Sequence, residues 1–259
     1  MANEENFGAV RPNRIAVLVE EAGVSKAKLP FLQMFVLALL AGAFIGFGGA
    51  AYTVAMTGVD ATYGPARLLG GLVFSLGLIL VVVGGAELFT GNALMVMAAV
   101  DRKISAREMI RSWTVVYLGN LVGAASLALL FGFTGVIDGP VANTAVSIAK
   151  SKATLEPVEG FIRGVLCNAL VCLAIWLTFA ARTVAGKVLA IIWPISAFVM
   201  LGLEHSVANM YFFPQAWLVA SEVSAVDVAT NLAVVTLGNI AGGAGGVALA
   251  YRYAFLGGR

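Results

Sequence analysis

The chain has one histidine, His205, and it stands beside a carboxyl in the run Leu201-Gly202-Leu203-Glu204-His205-Ser206-Val207-Ala208-Asn209, inside an apolar stretch about one bilayer long. An imidazole titrates near neutral pH and can give, take or relay a proton, and the neighbouring carboxylate is a fixed acceptor or countercharge. Ionisable groups at bilayer depth are costly and normally face a bundle interior or a water-filled path. The chemistry expected of Glu204 and His205 is therefore the handling of a polar or ionic solute. The plainer alternative makes His205 a neutral hydrogen-bonding residue between helices. A second stretch, Gly85-Ala86-Glu87-Leu88-Phe89-Thr90-Gly91-Asn92, repeats the spacing Glu-x-x-x-x-Asn, from Glu87 to Asn92 and from Glu204 to Asn209.

The elements that carry these groups follow from hydropathy. The sequence is 60% hydrophobic and 12% charged, with a mean hydropathy of +0.94, which predicts an integral membrane protein rather than a soluble domain. Six apolar runs of spanning length occur, at about Phe31 to Met56, Leu68 to Val100, Met109 to Phe133, Val158 to Ala180, Val188 to Phe213 and Val226 to Phe255. Leu118-Gly119-Asn120 follows the first Glu-Asn motif much as Leu237-Gly238-Asn239 follows the second, so the two halves form an internal repeat of three spans each. Each half has a polar, glycine-containing interruption in its second span, the pattern that points to a site near the membrane midplane. Spans 2 and 5 are therefore expected as broken helices, split near Glu87 to Thr90 and near Gly202 to Ser206, with irregular backbone buried in protein. An odd number of spans per repeat makes the halves inverted. The glycines at 42, 46 and 49, and at 238, 242 and 246, are spaced to allow close helix contacts.

Charge sets the orientation. Twelve Lys and Arg residues lie before span 1, after spans 2 and 4 and at the C-terminus, against Arg67, Lys150 and Lys152 on the other side, with Arg163 inside span 4. Both termini are predicted to be cytoplasmic. Met1 to Arg14 lacks the order of a cleaved signal, so the first membrane helix is expected to direct insertion. The expected organisation is a cytoplasmic amphipathic segment over 1–30, a channel domain over 31–255 and a tail over 256–259. In the first of these, Ile15, Leu18, Val19 and Ala22 share a helical face, which suits an interfacial anchor or a plug at the cytoplasmic mouth. The longest connection, about Thr134 to Pro157, faces outward as a loop whose lysines are either ordinary solvated charges or a collar that concentrates anions. A net charge of +2, scattered among short connections, gives no nucleic-acid surface. Cys167 and Cys172 read as packing residues, and neither a metal site nor a cofactor is expected.

Three blocks together resemble the formate/nitrite transporter family: Gly84-Gly85-Ala86-Glu87-Leu88-Phe89-Thr90-Gly91-Asn92, Cys167-Asn168-Ala169-Leu170-Val171-Cys172-Leu173-Ala174 and Glu204-His205-Ser206-Val207-Ala208-Asn209-Met210. The resemblance runs from about Lys28 to Phe255. It implies an aquaporin-like fold, a homopentamer in the cell inner membrane and a small-anion substrate moving with protons. It also implies that His205 is the central pore histidine and Thr90 the loop residue facing it, and that Lys152 and Asn168, 16 residues apart, are the vestibule pair. Phe74, Leu78, Phe89, Val171 and Phe198 fall where the family narrows its pore, and Glu204 where a carboxylate orients backbone around the break.

An anion entering such a constriction loses far more hydration energy than its neutral acid does. The expected function is passage of a weak monoacid in protonated form, or together with a proton, with His205 and Thr90 supplying the central hydrogen bonds. Phe74-Ser75-Leu76-Gly77-Leu78-Ile79-Leu80 looks more like the formate channels than the nitrite channels, so formate is favoured. Nitrite, hydrosulfide, acetate and lactate are the alternatives. A membrane enzyme is the competing class, and one histidine with neither a metal cluster nor a nucleophile beside a base equips it poorly.

Overall fold

The computed structural model describes residues 8–219 and 222–257, all of whose regular elements are helical. Residues 1–7 of the expected N-terminal segment and 258–259 of the expected tail lie outside the described residues.

Helix α1 (Pro12–Ala27) starts with a proline in its first turn, where the missing N–H has no helical partner to lose. Its apolar stripe is buried within the protein rather than left for a lipid surface, because Ile15, Ala16, Val19 and Gly23 face the helical segments at 93–100 and the end of the chain. Helix α2 (Phe31–Ala55) follows, then α3 (Gly64–Phe74) and α4 (Leu76–Gly84), which form one apolar rod over Gly64–Gly84. The rod ends at Gly85, whose φ of +82° suits a residue without Cβ. Helix α5 (Phe89–Asn92), a 3-10 turn (Ala93–Met95) and α6 (Val96–Val100) follow. Phe89 and Thr90 are thus already helical, and the irregular stretch lies a little earlier than the glycine spacing predicts.

Helix α7 (Ala106–Gly132) begins in a capping box between Ser105 and Glu108, in which the Glu108 N–H donates to Ser105 Oγ and the Ser105 N–H to the Glu108 carboxylate. The connection expected as a solvated loop instead holds α8 (Gly139–Ala153), with Ala145, Ile148 and Ala149 turned inward. A single stripe of small apolar residues was too weak a period to read as a helix beside six long runs. Helix α9 (Pro157–Ala180) and α10 (Val184–Met200) come next, the latter capped by the Thr183 hydroxyl. Gly202, at φ +68°, turns the chain before α11 (Ser206–Leu218). Helix α12 (Ala225–Ile240), a glycine-rich π-helix (Ala241–Leu249) and α13 (Ala250–Leu256) form one continuous apolar rod.

Five helical stretches among the described residues are long and apolar enough to cross a bilayer: Phe31–Ala55, Gly64–Gly84, Ala106–Gly132, Pro157–Ala180 and Ala225–Leu256. The fifth apolar run of the sequence is carried by the shorter α10 and α11. Helix α2 packs along α7, and α9 along α12, with backbone against backbone. A Cβ on Gly42 would stand 2.1 Å from Asn120 O, and one on Gly242 would stand 2.0 Å from Val165 O. Gly246 does not belong to this seam: the nearest atom to its would-be Cβ is 3.9 Å away, since the π-helix turns that position outward. The two free cysteines are both buried, as packing residues are.

Candidate functional site

The two irregular stretches between helices create the same problem twice. A helix that stops inside the protein leaves N–H and C=O groups that no water reaches. In each half one asparagine answers it with two donors and an acceptor. Asn120 Nδ2 donates to Ala38 O (2.7 Å) and to Glu87 O (2.9 Å), and its Oδ1 accepts from Phe89 N (2.9 Å). Asn239 Nδ2 donates to Gly164 O and Glu204 O, and its Oδ1 accepts from Ser206 N, each at 2.9 Å. The sequence pattern gave the backbone-orienting task to Glu204, whereas the amide of Asn239 performs it. A carboxylate has only acceptors, and the stranded carbonyls need donors.

The two glutamates do something else. Glu87 accepts from Lys26 Nζ (2.7 Å) and Asn92 Nδ2 (2.8 Å). Glu204 accepts from Lys152 Nζ (2.8 Å) and Asn209 Nδ2 (2.7 Å). Asn209 also donates to Asn231 Oδ1 (2.8 Å), and Asn231 Nδ2 donates to Lys152 O (2.9 Å), which ties α11, α12 and the end of α8 together. Each buried carboxylate thus has a cation and an amide, one on each oxygen. Lys26 is absent from the residues singled out in the sequence, where it looks like an ordinary charge on an amphipathic segment. A signal existed: Lys26 stands 12 residues before Ala38, and Lys152 stands 12 before Gly164, the two carbonyl partners of the asparagines.

His205 and Thr90 meet although they lie 115 residues apart, with Nε2 and Oγ1 at 2.9 Å and both residues buried. His205 is also the N-cap of α11, its Nδ1 accepting from Ala208 N at 3.1 Å. A neutral imidazole has one N–H, and the Ala208 bond fills the Nδ1 lone pair, so the proton sits on Nε2 and is donated to Thr90 Oγ1. The Thr90 hydroxyl keeps its own hydrogen to donate elsewhere. A second proton, at Nδ1, would displace the Ala208 cap. The imidazole also stacks on Phe198, with centroids 5.9 Å apart and the planes 17° from parallel.

Two cavities meet at this histidine. The wider, about 220 Å³, is lined by the cations Arg67, Lys152 and Arg163, the carboxylate Glu204, and His205 with Phe74, Phe198 and Phe212. Lys152 Nζ also lies 5.5 Å above the Phe212 ring, a cation–π contact. Arg163 donates to Gly202 O (3.0 Å) and so fastens the turn before His205. The narrower cavity, about 10 Å³ and the size of a single water, is walled by Phe74, Leu78, Val171, Phe198 and His205 together with Ile45, Leu88 and Ile195. Phe89 is not among these: its ring packs on Tyr117 (5.0 Å) and Trp113 (6.2 Å), and Leu88 takes the wall position. The helix begins at Phe89, and that start sets which of the two adjacent side chains points to the gap. A third cavity of about 30 Å³ is lined by Lys26, Val19 and Gly23 of α1 with Gly91, Leu94 and Met95.

Asn168 does not face the wide cavity with Lys152. It is fully buried and donates to Thr90 O (3.2 Å) and Asn239 O (2.6 Å), while Cys172 Sγ also approaches Thr90 O (3.5 Å). Its work is to hold the Thr90 turn in register. Among the described residues no group of three or more His, Cys, Asp or Glu side chains is placed to bind a metal.

Comparison with known proteins places this arrangement. A family model described as "Formate/nitrite transporter" matches residues 13–253. The chain is 40% identical over 249 residues to the uncharacterized transporter YrhG of Bacillus subtilis, covering 95% of this chain and 93% of that one. It is 38% identical over 269 residues to the formate channel FocA of Haemophilus influenzae, covering 95% and 94%. A solved structure titled "Pentameric formate channel with formate bound" superposes with a TM-score of 0.79 at 40% identity, over 87% of this chain and 98% of that one.

Proposed function

Because the chain belongs to the formate/nitrite transporter family, we propose that it conducts a small monovalent weak acid, formate in the first place, across the cytoplasmic membrane. The observation that carries this reading is the water-sized apolar gap closed by the Thr90–His205 contact and flanked by a cavity holding three cations. Arg67, with Lys152 and Arg163 each offset by a paired carboxylate, draws the anion into the wide cavity, where low-dielectric walls strengthen its field. The anion cannot shed its hydration into a ring of Phe74, Leu78, Leu88, Val171 and Phe198, whereas the neutral acid can. The anion therefore takes up a proton from the water of the wide cavity, where it is still hydrated, and crosses the gap as the neutral acid. At the centre the Thr90 hydroxyl and the His205 Nε2–H replace hydrogen bonds lost with water. On the far side Lys26, paired with Glu87, stands where Lys152 and Glu204 stand on the near side, and the acid ionises again there.

The same reading makes α3 to α6 the interrupted second span, α10 and α11 the interrupted fifth, and the two halves inverted repeats of an aquaporin-like fold. Both termini then face the cytoplasm, and five copies assemble as in the related channel. The matched relatives are transporters and channels, so the membrane-enzyme alternative has no support among them.

The test is uptake of formate and of nitrite into proteoliposomes across an imposed pH gradient, with internal pH and membrane potential recorded together. We expect electroneutral uptake with matched proton entry, formate outrunning nitrite, and a fall of at least about tenfold in acid-driven formate uptake for His205→Phe, which removes the central donor. Nitrite outrunning formate would reassign the substrate. Electrogenic uptake indifferent to the pH gradient would mean that the bare anion passes, and the neutral-acid account would fall.

A further inference from the structure

Two donors that line the wide cavity are left without acceptors. Neither the Arg67 guanidinium nor the Tyr52 hydroxyl makes a hydrogen bond or an ion pair with another described residue. The other cations there are committed: Lys152 is paired with Glu204, and Arg163 holds Glu159 with one arm and Gly202 O with the other. Arg67 is half-buried, and a cation so placed without a countercharge is stabilised by an anion from solution.

The fold sets these two donors side by side. Arg67 lies three residues before Gly70, so both share one face of α3. The Tyr52 ring seats on Gly70, where a Cβ would stand 2.9 Å from it. Phe74 (6.4 Å, 89°) and Phe212 (5.9 Å, 68°) also hold the ring, both edge-on. Arg67 itself extends to the turn before His205, with Nη2 3.0 Å from the point a Cβ on Gly202 would occupy. The φ of +68° at Gly202 favours a residue without that atom, and the space stays open to the guanidinium. A guanidinium presents two parallel N–H groups, which match the two oxygens of a carboxylate or of nitrite. Chloride or hydrosulfide offers it only a point charge.

We propose that Arg67 and Tyr52 form a binding station for two-oxygen monoanions in the wide cavity, separate from the Thr90–His205 contact. The fork of Arg67 takes both oxygens, and the Tyr52 hydroxyl donates to one of them. The station rests on the reading of the wide cavity as the anion's entrance, and it makes entry selective by shape as well as by charge.

A carboxylate too large for the water-sized gap isolates the station from permeation. Benzoate is such a probe, and benzamide is its uncharged counterpart. Binding of each to the purified full-length protein, in neutral detergent at low ionic strength, is followed by saturation-transfer difference NMR with formate or chloride titrated as competitor. Binding needs no transport, so failure of the station and failure of the proposed transport are read separately.

We expect benzoate but not benzamide to bind, and formate to displace it at a concentration at least about tenfold below that of chloride. The benzoate Kd should weaken about tenfold in Arg67→Gln and about threefold in Tyr52→Phe. Arg67→Lys keeps the charge and loses the fork, so it should still bind benzoate while the advantage of formate over chloride closes. His205→Phe should leave benzoate binding in place. Wild-type protein that ignores benzoate, or that releases it to formate and chloride alike, would overturn the proposal. So would binding that survives unchanged in Arg67→Gln or is lost in His205→Phe, since the anion would then sit elsewhere.

Discussion

At the scale of single residues the site rests on amides more than on charges. Asn120 and Asn239 each bond three backbone groups, two at an irregular stretch between helices and one a carbonyl of a neighbouring helix, at positions where water is excluded. Leaving one buried polar group without a partner costs about 1–3 kcal/mol, so Asn239→Ala, which removes the partners of Glu204 O and Ser206 N–H, is expected to destabilise the protein by roughly 2 kcal/mol or more. Asn239→Asp keeps the acceptor, loses both donors and adds a charge, and should not rescue it. The thermal midpoint of the purified protein checks this. A midpoint unchanged in Asn239→Ala would mean that water reaches the interrupted stretch and that the backbone there is not sealed. His205 is bound at both ring nitrogens, which makes it a fixed part of the wall as well as a donor to Thr90.

At the scale of elements, α1 decides how one end of the molecule closes. It lays Val19 and Gly23 over the 93–100 segment and brings Lys26 to Glu87. Its buried Glu20 pairs with Lys103, and Asp101 beside them pairs with Arg252 of α13. Burial pushes the Glu20 carboxyl above its ordinary value of 4.5, and the neighbouring Asp101 adds to the rise while Lys103 opposes it. A carboxyl whose docked-state value is raised binds more protons docked than free. Its contribution to docking is therefore whole below about pH 4.5 and is lost as pH climbs through the docked-state value. Hydrogen exchange over Pro12–Ala27, corrected for intrinsic rates, should show protection declining as pH rises across that range, and Glu20→Gln should flatten the profile. Protection that instead increases with pH would mean that the ionised Glu20–Lys103 pair holds the helix.

At the scale of the whole molecule, the cavities on the Lys152–Glu204 side and on the Lys26 side differ sharply in size. One opens through about 220 Å³ with three cations, while the other is reduced to about 30 Å³ beneath α1. Of the three cations, Lys152 is paired with Glu204 and Arg163 with Glu159, which leaves Arg67 as the clearest source of attraction for an incoming anion. Arg67→Gln should lower formate uptake roughly threefold at low ionic strength, an effect of one charge in a focused field. The difference from wild type should vanish toward 1 M salt, where the screening length falls to about 3 Å. A defect of equal size at all salt concentrations would place Arg67 in packing instead.

The sequence by itself determined that this is a helical protein with membrane-spanning apolar runs, where those runs lie and that Glu204 and His205 stand as polar groups among them. Hydropathy and spacing are local properties of a chain and survive without coordinates. The tertiary structure decided who touches whom. Helix phase turned Leu88 rather than Phe89 into the narrow gap, the donor deficit of stranded carbonyls gave Asn239 the task expected of Glu204 and buried Asn168, and the docking of α1 brought Lys26 to Glu87. These choices depend on contacts between residues 35 to 115 positions apart, or on rotations of one residue about a helix axis, and no local pattern encodes either.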